Sequence, residues 1–232
     1  MIQRRKWFVM YEKKINILKE ASEESKRLFS NYARVRNYKK GEAIFRDKEE
    51  VGCFYFLLSG YVSLYKISSN HEKKVIFICK AGEILNEVMV QKEFASIYAE
   101  PLSECEIVSI DKRKLRMIME NDFSVAEAMM ESMASKIRRL YRQLKNTPNA
   151  VRMDQQLASK IWKLGRDFGV ETERGIEVKF DITISFLAEM LGAKRETVSR
   201  QFKHLVNKKM VELNRRRLCI LNMDLLQEYL PK

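Results

Sequence analysis

Short apolar segments separated by turn residues dominate the chain from about residue 38 to residue 110. Each segment carries β-branched or aromatic residues, which suit a half-buried pleated surface. Gly41, Gly60 and Gly82 fall between the segments, and residues 68–71 have the composition of a hairpin tip. Several strands at this spacing predict an antiparallel barrel or jelly roll. The segments are 39–45, 57–67, 73–79, 81–85 and 105–110.

The pattern changes at Ser124, where apolar residues begin to recur every three or four positions as far as Leu144. This spacing predicts one helix with a single apolar stripe. A helix of about six turns with such a stripe needs a partner surface. The partner is either the barrel of the same chain or the same helix of a second chain. The stripe consists of Val125, Met129, Met133, Ile137, Leu140 and Leu144.

The helical pattern is interrupted at residues 146–149, where Pro148 biases the preceding residue away from helical conformation. We therefore expect a hinge or domain boundary at this point. A helical stripe resumes after it with Leu157, Ile161 and Leu164.

Two short helices joined by a tight turn are predicted next. Thr183 can cap a first helix with Ile184, Leu187, Ala188 and Leu191 on its inner side, and Gly192 permits a left-handed turn. A second helix begins at about Arg195. Its inner side is formed by Val198, Phe202 and Leu205. This is the spacing of a helix-turn-helix, although other helical hairpins can share it.

The outer face of the second helix carries the candidate chemistry. Arg195, Glu196, Ser199 and Arg200 project together from its first turns, the part that enters the major groove of DNA in such motifs. Arginine can donate to guanine O6 and N7, and glutamate can accept from cytosine N4. The competing interpretation is an ordinary solvated helix face.

Positive charge surrounds this helix. Residues 194–217 contain nine basic and two acidic side chains, a balance of +7. Two apolar segments flank residues 214–217 as a hairpin, which predicts a basic wing able to contact phosphates beside the helix. The whole chain has a net charge of +13, which also favours a polyanionic partner.

Composition excludes several other classes of protein. With 46% hydrophobic residues, 8 glycines and 3 prolines, the chain can bury a core and is neither disordered nor collagen-like. Its longest apolar run, 53–58, is far shorter than the roughly 20 residues of a membrane-spanning helix. No membrane partner is expected, and a cytoplasmic location is the default expectation.

The cysteines and histidines suggest neither a metal site nor an enzyme. The four cysteines are isolated in apolar segments without a C-x-x-C pair, so we expect reduced core thiols. His71 and His204 are expected at the surface. We predict no metal, haem or iron–sulfur cluster, and no catalysis, because nucleophile motifs and glycine-rich phosphate loops are absent from the sequence.

The segment 182–213 resembles the winged helix-turn-helix of the Crp/Fnr family of bacterial transcription regulators, in which R-E-T-V-S-R opens the recognition helix. Segments 38–45 and 54–67 resemble the effector-domain barrel of that family. The resemblance implies an α+β fold of three parts. These are a cyclic-nucleotide-binding-like sensor domain at 1–121, a dimerisation helix at 122–146 and a winged helix-turn-helix domain at 147–232.

The resemblance also implies partners and site residues. The partners are double-stranded DNA, a second copy of the chain and, if the protein activates transcription, RNA polymerase. Dimerisation through the helical stripe implies an operator with inverted repeats. The base-reading residues are Arg195, Glu196, Ser199 and Arg200. The phosphate-binding residues are Lys194, Thr197, Lys203, Arg215 and Arg216.

Cyclic-AMP-binding members of the family hold the nucleotide with a Gly-Glu turn and a later Arg-Ser pair. Here Asn86 precedes Glu87, and Ala95 stands at the place of the phosphate-binding arginine. Cyclic AMP is therefore not expected in the usual mode, although Lys92 is an alternative point charge. The effector pocket is predicted at Glu87, Met89, Ser96, Met129 and Met133.

The sequence leaves the sensed signal open among another small molecule, oxidation of a thiol and no effector at all. Methionines at helical spacing are also more often core residues than pocket residues. An alternative function is a ligand-binding regulatory module that acts on a partner protein. That alternative leaves R-E-T-V-S-R and the basic wing unexplained.

Overall fold

The computed structural model describes residues 12–90, 94–145 and 152–230. The chain divides into two compact units, Met1–Lys66 with Phe77–Leu140 and Ile67–Ile76 with Tyr141–Lys232. The expected hinge at 146–149 and the alternative cation Lys92 lie outside the described residues. The three-part division at 121 and 146 therefore stays a prediction.

Residues 34–111 form two three-stranded sheets, with the strand orders β1-β6-β2 and β4-β3-β5. The pairs β1–β6, β2–β6 and β3–β5 are antiparallel. The α+β fold class is confirmed. The strands are β1 Arg34–Tyr38, β2 Cys53–Ser59, β3 Tyr61–Ile67, β4 Lys73–Lys80, β5 Tyr98–Pro101 and β6 Cys105–Asp111.

Two of the predicted strand segments do not form regular strands. Segment 39–45 contributes an isolated bridge from Phe45 to Ala99, and segment 81–85 contributes one from Ile84 to Phe56. Each segment contains a glycine with positive φ, Gly41 at 80° and Gly82 at 94°, so the chain turns there instead of extending.

Helices cover the apolar face of the β1-β6-β2 sheet. Helix α1 (Glu23–Tyr32) is capped by Ser22, and helix α2 (Lys112–Asn121) is capped by Asp111, whose carboxylate accepts from two backbone amides. The ring of Phe29 in α1 meets that of Phe56 in β2 edge to face at 5.5 Å. The two rings join one core cluster with Val108 and residues of α2.

The long helix α3 (Phe123–Lys145) confirms the predicted helix at 124–144 and packs one side against the first unit. Val125 and Met129 are buried in the core cluster. Further along the same side, Lys136 Nζ lies 2.6 Å from a carboxylate oxygen of Glu87 and 2.8 Å from the carbonyl oxygen of Ile84. Ser132 also donates to Glu87, at 3.1 Å. The Glu87 side chain is 1% exposed, so this ion pair is removed from water.

A different side of α3 exposes large apolar residues. Phe123, Met130, Ile137 and Leu144 follow one another at intervals of seven residues, and all are exposed. Leu140 is exposed three residues after Ile137. The single predicted stripe is therefore corrected: Val125 and Met129 face the core of their own chain, whereas Ile137, Leu140 and Leu144 remain available.

The second unit contains the three helices that the sequence predicts, α4, α5 and α6, and a four-stranded sheet of order β7-β8-β10-β9. The hairpin β7–β8 was not predicted. Aromatic rings link the helices of this unit, with Phe180 edge to face against both Phe168 and Phe186. The elements are α4 Met153–Phe168, β7 Gly169–Thr172, β8 Gly175–Val178, α5 Ile184–Leu191, α6 Arg195–Asn207, β9 Val211–Asn214, β10 Arg217–Ile220 and α7 Met223–Glu228.

We predict that the change Lys136→Met destabilises the first unit by about 3 kcal/mol, because it leaves the Glu87 carboxylate buried without its cation. Amide hydrogen exchange in β2 and β6 measures the free energy of opening of this unit. The double variant K136M/E87L is the control and should recover most of the loss. A cost of under about 1 kcal/mol for Lys136→Met would show that the ion pair behaves as a surface pair.

Candidate nucleic-acid interface

The turn between α5 and α6 has the geometry that the sequence predicts. Thr183 caps α5 and accepts from the backbone amide of Phe186 at 3.1 Å. Gly192 ends α5 with φ 68°, a left-handed conformation that favours glycine. The amides of Gly192 and Ala193 both donate to the carbonyl oxygen of Ala188, at 2.8 and 3.1 Å. The chain can therefore reverse direction within three residues.

The inner side of α6 is anchored as predicted, since Val198, Phe202 and Leu205 are buried. The inner side of α5 is rotated from the prediction. Leu187 and Ala188 are buried, but Ile184 and Leu191 are half-buried, and Phe186 and Met190 are buried instead. The aromatic contact of Phe186 with Phe180 accounts for part of this rotation.

The four predicted base-reading residues lie together on the outer side of α6. Arg195, Glu196, Ser199 and Arg200 are all exposed. They occupy successive positions of the first two helical turns, so their side chains leave the helix on one side. Within the described parts of the chain, none of the four forms an ion pair. Their donors and acceptors are therefore available to another molecule.

The start of α6 is open as well. Lys194 occupies the N-cap position with φ −66° and ψ 139°, and no side chain accepts a hydrogen bond from the first turn. The amide groups of that turn lack partners within the helix, so they can donate to an anion such as a phosphate. Lys194 and Lys203 are exposed and Thr197 is half-buried, so the predicted phosphate contacts on α6 border this end and the reading face.

The predicted wing is the hairpin β9–β10. Asn214 pairs with Arg217, which leaves Arg215 and Arg216 as a two-residue loop. Both loop residues are exposed. The nearest acid on the hairpin, Glu212, pairs with Arg174 of the β7–β8 turn at 2.7 Å. The tip therefore keeps its positive charge. Arg174, which neutralises Glu212, was not predicted from the sequence as part of this surface.

The predicted effector-pocket residues lie in different local environments. Glu87 is bonded to Lys136 and Ser132, Met89 and Met129 are buried, and Ser96 is exposed. Met133 packs against the core cluster. A cavity of about 330 Å³ lies beside the Gly82 turn. It is lined by residues that include Asn16, Gly82, Ser132, Ser135, Lys136 and Arg139.

The cysteines are free thiols, as expected. Cys79, Cys105 and Cys219 are buried, and burial raises the pKa of the Cys79 thiol to about 12. This thiol is therefore protonated at neutral pH and is a poor nucleophile. In residues 12–90, 94–145 and 152–230 there is no cluster of three potential metal ligands. No helix in those same residues is long and apolar enough to cross a membrane.

Two domain families match the chain, one in each unit. Residues 35–122 match the cyclic nucleotide-binding domain, and residues 155–229 match the Crp-like helix-turn-helix domain. The second match contains the whole of α5, α6 and the wing. The first contains all six strands of the first unit except the start of β1.

Relatives that match about four-fifths of the chain are named as regulators. The chain is 21% identical over 189 residues to the global nitrogen regulator of Nostoc sp. (strain PCC 7120), covering 80% of this chain and 84% of that protein. It is 21% identical over 187 residues to the CRP-like cAMP-activated global transcriptional regulator of Mycobacterium tuberculosis, covering 79% of this chain and 82% of that protein.

Solved structures of similar proteins share the fold. FixK2 from Bradyrhizobium japonicum superposes with a TM-score of 0.73 at 18% identity, covering 86% of this chain and 98% of FixK2. The c-di-GMP-responsive regulator CLP from Xanthomonas campestris has a TM-score of 0.76 at 15% identity, covering 87% of this chain and all of CLP. Because both domain families and these relatives agree, the chain belongs to the Crp/Fnr family of transcription regulators.

Proposed function

We propose that this protein is a homodimeric, sequence-specific DNA-binding regulator of transcription that binds an operator with inverted repeats. The observation that carries the proposal is the outer side of α6. Arg195, Glu196, Ser199 and Arg200 are exposed there, while the opposite side of the helix is buried. A rigidly anchored helix with free donors and acceptors at its start can present them to base edges in a major groove.

Phosphate contacts supply affinity in this proposal, and the four base-reading residues supply sequence preference. Lys194, Thr197 and Lys203 flank the reading face, and the open amide groups at the start of α6 can donate to a backbone phosphate. Arg215 and Arg216 add charge at the wing. Binding should therefore weaken steeply as salt concentration rises.

The exposed side of α3 supports the dimer. Phe123, Met130, Ile137 and Leu144 repeat every seven residues, and Leu140 lies between the last two at the spacing of a coiled-coil seam. A second copy of the same helix presents an identical seam, so a twofold-symmetric pair buries both. The side of α3 that carries Val125 and Lys136 packs against the barrel of its own chain, so it is not available to a second copy.

We also propose that cyclic AMP is not the effector in the usual mode. Glu87 already has an internal cation and an internal hydroxyl donor, Lys136 and Ser132. Ala95, at the place of the family's phosphate-binding arginine, is a buried apolar residue that offers no charge. RNA polymerase is a partner in this proposal only if the protein activates transcription.

The alternative function, a regulatory module that acts on a partner protein through the barrel, is less well supported. It assigns no task to the exposed start of α6 or to the uncompensated charge of the wing. Salt-sensitive binding of the full chain to a defined DNA sequence would exclude it as the sole function.

Selection of binding sites from random DNA should return an inverted repeat with half-sites about one helical turn apart. On that operator, Arg200→Ala should cost about 1–3 kcal/mol and relax the preference at one base pair per half-site. The matched change Lys203→Ala should weaken binding to all sequences alike. A random pool without a common motif would refute sequence-specific binding.

A charge placed in the seam should separate the dimer. We expect Ile137→Asp to give a monomer in sedimentation experiments at micromolar concentration, because two buried carboxylates would face each other across the twofold axis. Ser135→Asp introduces the same side chain on an exposed position away from the seam and should stay dimeric. Equal sedimentation of Ile137→Asp and the unaltered protein would place the dimer contact elsewhere.

Cyclic AMP should leave the melting temperature of the protein unchanged. At 1 mM, a nucleotide that binds the folded state with micromolar affinity would add about 4 kcal/mol of stability. We therefore expect a shift of under about 1 °C by differential scanning fluorimetry, since no such affinity is expected. A rise of several degrees would show that the folded protein binds the nucleotide and would contradict this proposal.

A further inference from the structure

The tip of the wing has an unusual combination of backbone and side chains. Asn214 pairs with Arg217, so the loop has two residues, and Arg215 and Arg216 adopt φ 46° and 71°. Two-residue hairpins with both loop residues at positive φ favour Asn-Gly, because side chains larger than these are disfavoured in the left-handed region. The chain places two arginines where the fold alone would favour Asn-Gly.

The tip is also held in a fixed place within the second unit. The backbone amide of Ile182 donates to the carbonyl oxygen of Arg216 at 2.8 Å. Ile182 is buried and directly precedes Thr183, the cap of α5. In helix-turn-helix complexes the first helix crosses the phosphate backbone while the second enters the major groove. The tip therefore lies beside the start of α5, the helix that crosses the phosphate backbone in such complexes.

The charge of the tip also favours contact with a DNA groove. Arg215 and Arg216 are exposed, and within the described residues neither forms an ion pair. Glu212, the acid on the same hairpin, is held by Arg174. A minor groove about 6 Å wide is too narrow for a helix, but it admits the side chains of a two-residue turn. Guanidinium groups favour that groove where A·T base pairs narrow it and deepen its negative potential.

We propose that Arg215 and Arg216 enter the minor groove beside each half-site and give the protein a preference for A·T base pairs there. This inference rests on the proposed function, because it takes the reading of the major groove by α6 as given. It assigns the wing tip a part in sequence preference in addition to its charge.

The test uses the full chain and the operator obtained by selection, with both half-sites constant. The base pairs flanking the half-sites are A·T, G·C or inosine·C in three otherwise identical duplexes. An inosine·C pair lacks the amino group that guanine places in the minor groove, but it keeps the major-groove acceptors of a G·C pair. Dissociation constants for the three duplexes therefore separate reading of the two grooves.

We expect the A·T and inosine·C duplexes to bind on the order of tenfold more tightly than the G·C duplex. The variant R215N/R216G should bind all three duplexes alike while keeping its preference for the half-sites. It should also melt about 4 °C higher than the unaltered protein, because Asn-Gly relieves the backbone of the turn. If the two arginines served only to stabilise the fold, R215N/R216G would melt at a lower temperature than the unaltered protein.

The matched variant R215K/R216K keeps both charges but lacks the planar guanidinium group, so it should keep the salt dependence and lose most of the flank preference. Equal binding of the unaltered protein to all three duplexes would overturn the inference, as would inosine·C behaving like G·C. So would an unchanged flank preference in R215N/R216G. If the half-sites themselves are not preferred over random DNA, the proposed function fails instead.

Discussion

The angle between α5 and α6 is the constraint on which base reading depends. Gly192 lets the chain reverse in a left-handed conformation, and both Ala188 in α5 and Val198 in α6 are buried. If α6 turned about its axis relative to α5, Arg195 and Arg200 would no longer point outward from the pair of helices. The same rotation would bury charged groups without partners, which is costly. Packing on one side of α6 thus fixes what the other side presents.

A second constraint acts on α3, because one side of this helix packs against its own chain while another side exposes apolar residues. Its inner side is held by apolar packing at Val125 and by the buried ion pair of Lys136 with Glu87. Its outer side repeats every seven residues and is left exposed in the single chain. The contacts of Glu87 and the exposed apolar residues therefore lie on two sides of the same helix.

Much of the second unit was predictable because its signals are local. A threonine cap, a glycine nine residues later and apolar residues at helical spacing define α5 and α6 within a short stretch. The division of α3 was not predictable, since 3.5- and 3.6-residue periods are hard to separate over six turns. The spacing of Phe123, Met130, Ile137 and Leu144 was the signal for the outer seam. The ion pair of Glu87 with Lys136 joins residues far apart in the sequence, and no local pattern marks it.

Methylation interference can test whether two copies of α6 read base edges in two symmetric half-sites, because methylation of guanine N7 blocks an arginine in the major groove. With the full chain on its selected operator, we predict interference at guanines in two half-sites related by a twofold axis and centred about one helical turn apart. Interference that is absent, or confined to a single half-site, would show that a symmetric pair of α6 helices does not read the operator.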